Sequence, residues 1–286
     1  RVWCNRVPTR RTSARWCAKR VEAGADDEPK PVTGEGDAQL AARLATEAGQ
    51  LLVQVRDELT RAGAPAWHIM DAGDLASHRF LLQALTDARP DDAVLSEEGF
   101  EDPRRFDADR VWIVDPLDGT SEFGEHGRHD WAVHVALWDA DHFGAGAVSI
   151  PALDLTFCTD PPPVVPTTDR SRPRLVTSRN RNPYVAVVVA NALDADAVRL
   201  GSAGAKAMAI VTGEADIYVH DGGMYQWDSA APAAVALAAG LHVSRIDGSP
   251  MVFNDRDPWL PDLLICRPEF AGPTLKALRN SRTIRP

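Results

Sequence analysis

Cysteine is scarce in this 286-residue chain. Only Cys4, Cys17, Cys158 and Cys266 occur, and no two form a CxxC pair. That spacing excludes a zinc finger or a disulfide framework and suits a reducing, cytoplasmic setting. Long apolar runs are missing too. A membrane-spanning helix needs about 20 consecutive apolar residues. The longest such stretch, Ala230 to Leu241, stops well short and contains Pro232, so no membrane partner is expected. Positive charge is also short: 31 Lys and Arg face 41 Asp and Glu, for a net charge of −10. The body of the protein therefore lacks the bulk electrostatics for binding nucleic acid. An anionic ligand would need a local source of positive charge, most simply metal ions.

The basic residues that exist are unevenly placed. Residues 1–20 hold seven of them and no acid. An RNA- or membrane-attracting arm, or an Arg-rich targeting peptide, is one reading. A solvated, disordered tail is the reading that composition favours. No apolar run follows the basic stretch, which argues against a secretory signal. Residues 21–36 are rich in Gly, Pro and charge and read as linker, so residues 1–36 form a disordered basic tail and linker in this reading.

What remains is ordinary for a soluble globular enzyme, with 44% apolar and 25% charged residues. The length fits one large domain or two small ones. From Asp37, a plausible N-cap, Leu40, Leu44, Ala48, Leu51, Val55 and Leu59 mark one face of an amphipathic helix. A second helix is expected from Asp74, its N-cap, to about Ala88, with Leu75, His78, Leu82 and Leu85 on one side and Pro90 ending it. Short apolar runs follow: Ala93–Leu95, Val111–Val114, Trp131–Trp138, Gly144–Ile150 and Leu153–Cys158. They predict a mostly antiparallel sheet packed on the two helices. Five prolines in residues 159–173 mark an internal boundary. Beyond it, strand signals (Leu175–Thr177, Ile217–Val219, Leu241–Ser244, Leu263–Cys266) alternate with helix signals (Pro183–Ala192, Ala203–Val211, Ser229–Ala239, Pro268–Leu278). The expected division is an N-terminal α+β half, 37–165, and a C-terminal α/β half, 166–286.

The densest chemistry lies in Asp115-Pro116-Leu117-Asp118-Gly119-Thr120, directly after the apolar Val111–Val114. Pro116 is expected to stop the strand ladder and turn the chain. Gly119 lets backbone approach a ligand closely. Two carboxylates, and the Leu117 carbonyl between them, then face one point. Oxygen-only ligands suit Mg²⁺ rather than zinc or copper, and the Gly119 and Thr120 amides can meet phosphate oxygens. The bland reading is a surface Asp-Pro turn followed by an Asp-Gly turn; spacing alone leaves both open. Glu97 and Glu98 read first as a solvated strand edge. Asp228 and Asp74 read first as helix N-caps.

Taken together, Ser96-Glu97-Glu98-Gly99, the DPLDGT run at 115–120, and Trp227-Asp228-Ser229-Ala230-Ala231 resemble the inositol monophosphatase superfamily, which shows a Glu-Glu pair, a DPxDGT core and a WDxxA motif in this order. The resemblance covers about residues 37–278. Glu122-Phe123 after the core, and Gly201-Ser202-Ala203-Gly204-Ala205-Lys206 ahead of the WD motif, look most like the CysQ-type 3′(2′),5′-bisphosphate nucleotidases. Ser121, where that branch usually has a basic residue, departs from the pattern. So does HIMDAGD ahead of Asp74, which lacks the Lys-Ser-Pro-x-Thr lead-in.

The resemblance implies a layered αβαβα sandwich of the inositol monophosphatase/fructose-1,6-bisphosphatase type and two or three Mg²⁺ ions. Glu97, Asp115 and the Leu117 carbonyl would hold the first ion. Asp115, Asp118 and Asp228 would hold the second, and Glu97 would reach a third through water. Thr120, bonded to Asp74, would orient and deprotonate the attacking water. Asp118, Gly119, Thr120 and Asp228 would border the substrate, Asp221 would contact its hydroxyls, and Ser202 and Lys206 would serve its nucleotide end. The implied reaction is hydrolysis of 3′-phosphoadenosine 5′-phosphate to AMP and phosphate, linked to sulfate assimilation and inhibited by lithium. Homodimers are common in the superfamily. Inositol-1-phosphate or fructose-1,6-bisphosphate as substrate is the rival within the enzyme class. A non-catalytic, Mg²⁺-dependent phosphometabolite sensor is the rival outside it. A glycosidase fits poorly, because two carboxylates on one tight turn cannot flank a sugar.

Overall fold

The computed structural model describes residues 34–99, 102–181 and 183–282. The tail and all but the last residues of the linker lie outside the described residues. Helix α1 (Asp37–Arg61) buries Leu40, Leu44, Ala48 and Leu52 at intervals of four, as an amphipathic helix must. Its cap is Gly36 rather than Asp37: the Gly36 N–H donates to Gln39 Oε1 at 3.1 Å. Asp37 is the first helical residue, and its carboxylate is taken by Arg89 and Arg110.

Helix α2 spans Ala66–Ala88, so the expected start at Asp74 is wrong by two turns. Pro65 supplies the cap, and Asp74 sits mid-helix. The reason is legible in the packing. The buried stripe is Ile69, Gly73, Ser77, Leu81 and Leu85, and its two central members are small and not apolar. Gly73 is small because Phe123 fills the space; a Cβ there would lie 2.5 Å from the ring. Leu75, read as part of the inner face, is about half exposed.

The first sheet has the order β1-β2-β3-β4-β5, with β1 (Ala93–Ser96), β2 (Arg110–Asp118), β3 (Ala132–Asp139), β4 (His142–Ile150) and β5 (Leu155–Cys158). β1 runs parallel to β2, and the other pairs are antiparallel. β2 does not stop at Pro116. Its pairing with β3 skips from Asp115 to Asp118, so proline occupies an irregularity that needs no ladder donor. The short helix α3 (Thr120–Gly124) follows, entered through Gly119 at φ +86°.

The second sheet has the order β7-β6-β8-β10-β9, with β6 (Arg174–Ser178), β7 (Asp196–Leu200), β8 (Ile217–Tyr225), β9 (His242–Ser244) and β10 (Trp259–Cys266). β6 runs parallel to β7 and β8, while β10 is antiparallel to β8 and β9. β7 is a short, largely exposed edge strand that gave no strand signal. Helices α4 (Tyr184–Leu193), α5 (Ala203–Val211), α6 (Gln226–Ala238) and α7 (Pro268–Arg282) complete the chain.

Five layers result: α1 and α2, the first sheet, α5 and α6, the second sheet, then α4 and α7. The middle layer is alanine-rich, with Ala203, Ala205, Ala207, Ala209, Ala230, Ala231, Ala233, Ala234 and Ala236 all buried. Small side chains let both sheets approach the helices; a Cβ on Gly146 of β4 would lie 2.6 Å from the Ala234 methyl. Fully buried Arg105 clasps the two parts of the chain, donating to Asn254 Oδ1 and to the Asp255 and Arg256 carbonyls at 2.9–3.1 Å. Among the described residues, no helix is long and apolar enough to cross a membrane.

Candidate active site

The irregular end of β2 delivers Asp115 and Asp118 to one point, and α6 brings Asp228 to meet them. One carboxylate oxygen from each lies within 4.8 Å of the others. Asp228 is not the N-cap of α6, as expected, but stands three residues inside the cap residue Tyr225; its Oδ2 accepts the Tyr225 N–H at 2.6 Å. Asp115 Oδ1 accepts the Leu117 N–H at 3.1 Å, while its Oδ2 is buried and has no hydrogen-bond partner. Asp118 is held on both oxygens by the first amides of α5, with Ala203 N–H to Oδ1 at 3.1 Å and Gly204 N–H to Oδ2 at 2.6 Å.

The electrostatics follow from crowding like charges away from water. Burial pushes the Asp115 carboxyl well above the carboxylate range, and Asp118, Glu97 and Asp228 push it further. Burial and then Asp118 raise Asp228 to about 6. Glu97, just beyond β1, is exposed by surface area. Crowding by the surrounding protein, then the charges of Asp228, Glu98, Asp118 and Asp74, raise it to about 7. Asp118 goes the other way. Burial opposes its charge, but His134, Lys206 and the Gly204 amide outweigh that and lower its pKa.

Helix α2 supports the β2 turn from below. Ser77 donates to the Pro116 carbonyl at 2.7 Å, and Asp74 lies close enough to Thr120 for that side chain to act on its carboxyl. Burial, then Glu98 and Asp71, raise Asp74 to about 7. Thr120 Oγ1 also lies 3.1 Å from the Leu117 carbonyl, to which it donates. One turn on from Asp74, His78 Nδ1 is 3.1 Å from Ser96 Oγ, beside the Glu97 corner.

The other expected substrate residues are not among the three converging carboxylates. Ser202 is the buried N-cap of α5, accepting the Ala205 N–H at 2.9 Å. Lys206 is buried, donates to the Gly201 carbonyl and lies 5.5 Å from the Tyr218 ring centroid. Asp221 lies on β8, paired across to Asp262, outside the three-carboxylate group. Sequence reasoning missed His134. It is fully buried on β3 directly opposite Asp115, with Nε2 3.2 Å from Asp118 Oδ2. Its only signal was a histidine in an otherwise apolar strand, which reads first as a satisfied core residue.

Three carboxylates converge here, one with an unpartnered buried oxygen, and all the donors are oxygen. That set fits a hard divalent cation, and a cation would relieve the mutual repulsion that raises the pKa values. Comparisons with known proteins agree. The model of the inositol monophosphatase family matches residues 37–281. The chain is 48% identical over 247 residues to a 3′-phosphoadenosine 5′-phosphate phosphatase of Mycobacterium bovis, covering 82% of this chain and 90% of that one. It is 45% identical over 256 residues to the protein of that name in Mycobacterium leprae, covering 85% and 94%. The fold matches the crystal structure of CysQ from Bacteroides thetaiotaomicron at a TM-score of 0.69 and 22% identity, over 81% of this chain and 97% of that one. The layered sandwich, the converging carboxylates and the match across nearly the whole described chain establish that this protein belongs to the inositol monophosphatase family.

Proposed function

We propose that the protein is a Mg²⁺-dependent phosphomonoesterase that hydrolyses 3′-phosphoadenosine 5′-phosphate to AMP and phosphate, with a place in sulfate assimilation. The observation that carries the chemistry is the buried Asp115–Asp118–Asp228 cluster with Asp115 Oδ2 unpartnered. The 48% identity to a phosphatase named for this substrate supports the choice of ester. Glu97, Asp115 and the Leu117 carbonyl would hold one ion and Asp115, Asp118 and Asp228 a second, with Glu97 reaching a third through water. Bound Mg²⁺ supplies positive charge for a phosphate dianion and lowers the pKa of water.

The chain's own residues do the rest. The Gly119 and Thr120 amides at the turn meet phosphate oxygens. The Thr120 hydroxyl orients the attacking water, and Asp74, raised to about 7, receives a proton through it near neutrality. The displacement is in line at phosphorus and depends on positioning and electrostatics. Ser202, Lys206 and Asp221 would serve the rest of the substrate. The test is phosphate release from 3′-phosphoadenosine 5′-phosphate, inositol-1-phosphate and fructose-1,6-bisphosphate, each with and without LiCl. Fastest turnover of the nucleotide, lost in lithium, is expected. Preference for either other ester overturns the substrate, and no Mg²⁺-dependent release from any of them overturns the enzyme.

A further inference from the structure

His134 belongs to none of the motifs that mark this site, yet it lies against two of its carboxylates. It lies at the centre of β3, paired across to Asp115. Its Nδ1 is 3.1 Å from the Trp227 carbonyl oxygen and 3.9 Å from Asp115 Oδ2. A carbonyl only accepts, so Nδ1 carries a proton and the ring orientation is fixed. Its Nε2 then faces Asp118 Oδ2 at 3.2 Å. The imidazole thus spans from the β2 carboxylates to the backbone of the residue next to Asp228.

The surroundings are built around this ring. A Cβ on Gly204 would lie 2.2 Å from His134 Nε2, so the start of α5 has no side chain where the imidazole passes. The same Gly204 donates its N–H to Asp118 Oδ2, the oxygen that His134 Nε2 approaches at ion-pair distance, though Nε2 makes no hydrogen bond. Among the described residues, His134 joins Asp118 of the first sheet to the chain segment that carries Asp228. Three ligands contributed by two distant stretches of sequence need such a tie, because a cation site tolerates little error in the spacing of its oxygens.

We propose that His134 is a positioning residue that presets the distance between Asp118 and Asp228, so that the carboxylates are arranged for a divalent cation before one arrives. This inference rests on the metal-dependent reading of the site. It assigns His134 no role in binding substrate or moving a proton.

Two conservative variants separate the arms of the imidazole. His134→Asn keeps a donor near the Trp227 carbonyl and loses the arm to Asp118. His134→Gln extends a donor toward Asp118 and loses the first arm. His134→Phe keeps the ring volume and loses both. The readouts are Mg²⁺ affinity by titration calorimetry on full-length protein, and thermal stability in EDTA. Loss of a group that orients a metal ligand weakens affinity by about 10- to 100-fold. We expect a loss in that range for the Phe variant and smaller losses for Asn and Gln. Stability in EDTA should change too little to account for them. Mg²⁺ affinities within twofold of wild type in the Asn and Gln variants would overturn the proposal, whether or not the Phe variant folds. So would equal losses in all three that scale with lost thermal stability, since that pattern belongs to packing alone. If wild-type protein itself binds no Mg²⁺, the proposed function fails at its metal centre, which is a separate outcome.

Discussion

Removing the central carboxylate should strengthen the metal-free protein while it destroys activity. Asp115→Asn keeps the Oδ1 acceptor for the Leu117 amide and removes the cost of either ionising this carboxyl beside Asp118, Glu97 and Asp228 or holding it protonated. Two unit charges 4.8 Å apart repel by about 3 kcal/mol at an effective dielectric near 20. The new amide brings donors that need partners, which offsets part of this relief. A net gain of about 2 kcal/mol, at about 2–4 °C per kcal/mol for a domain of this size, raises the melting temperature by about 4–8 °C. The sign with pH follows from the raised groups. Asp115, Asp228, Glu97 and Asp74 have folded pKa values above their ordinary ones. Their stabilising contribution is complete in acid, below about pH 4; for Asp228, Glu97 and Asp74 it is lost as pH rises through about 6–7, and Asp115 acts in the same sense. Asp118, whose pKa is lowered, contributes in the opposite sense and loses its contribution in acid. Without metal, wild-type protein should therefore lose stability from pH 5 to pH 8, and the variant should lose less. The assay is thermal denaturation in EDTA at several pH values, repeated with Mg²⁺, which should stabilise only the wild type. A variant that melts no higher than wild type at pH 8, with the same pH slope, would refute the reasoning.

Other consequences can be checked alongside. Phosphate release at saturating Mg²⁺ should fall in acid as Asp74 takes up a proton, and Asp74→Asn should lower kcat by about 100-fold or more and flatten that limb. Arg105→Met should cost about 3 kcal/mol in urea unfolding, because the carbonyls of Asp255 and Arg256 and the Asn254 side chain each lose a charged donor. Its kcat should fall far less than that of Asp74→Asn. Chelation should abolish activity reversibly, with Mg²⁺ restoring it; activity that persists after exhaustive EDTA dialysis counts against a metal centre.

Much of this was legible in the sequence, and the exceptions share a cause. The Asp115–Thr120 run was readable because a β-branched strand, a proline and a glycine each impose a local geometry. Helix α5 was read to the residue because its apolar run is bounded by the glycine-rich GSAG stretch and Gly213. Helix α2 was begun too late because Gly73 and Ser77 face a neighbouring ring and a neighbouring carbonyl, and neither looks like a core residue. Asp74 was consequently taken for a cap, when its mid-helix place is what aims it at Thr120. β7 was invisible because five largely exposed residues at a sheet edge give too short a pattern to read. His134 could not be found because its meaning depends on register with Asp115 across β2 and β3, which no local pattern encodes.

Helix α6 packs against β2, β3 and β4 of one sheet and β8, β9 and β10 of the other, and it carries Asp228 near its first turn. The helix therefore acts as a shim. Any swelling of the alanine-rich layer, whether from a larger side chain at Ala231 or Ala234 or from loosening of the Arg105 clasp, separates Asp228 from Asp115 before it unfolds anything. Substitutions buried in that layer, with no contact to substrate, should then register first as a weakened response to Mg²⁺. The thickness of the interior sets the calibration of the site.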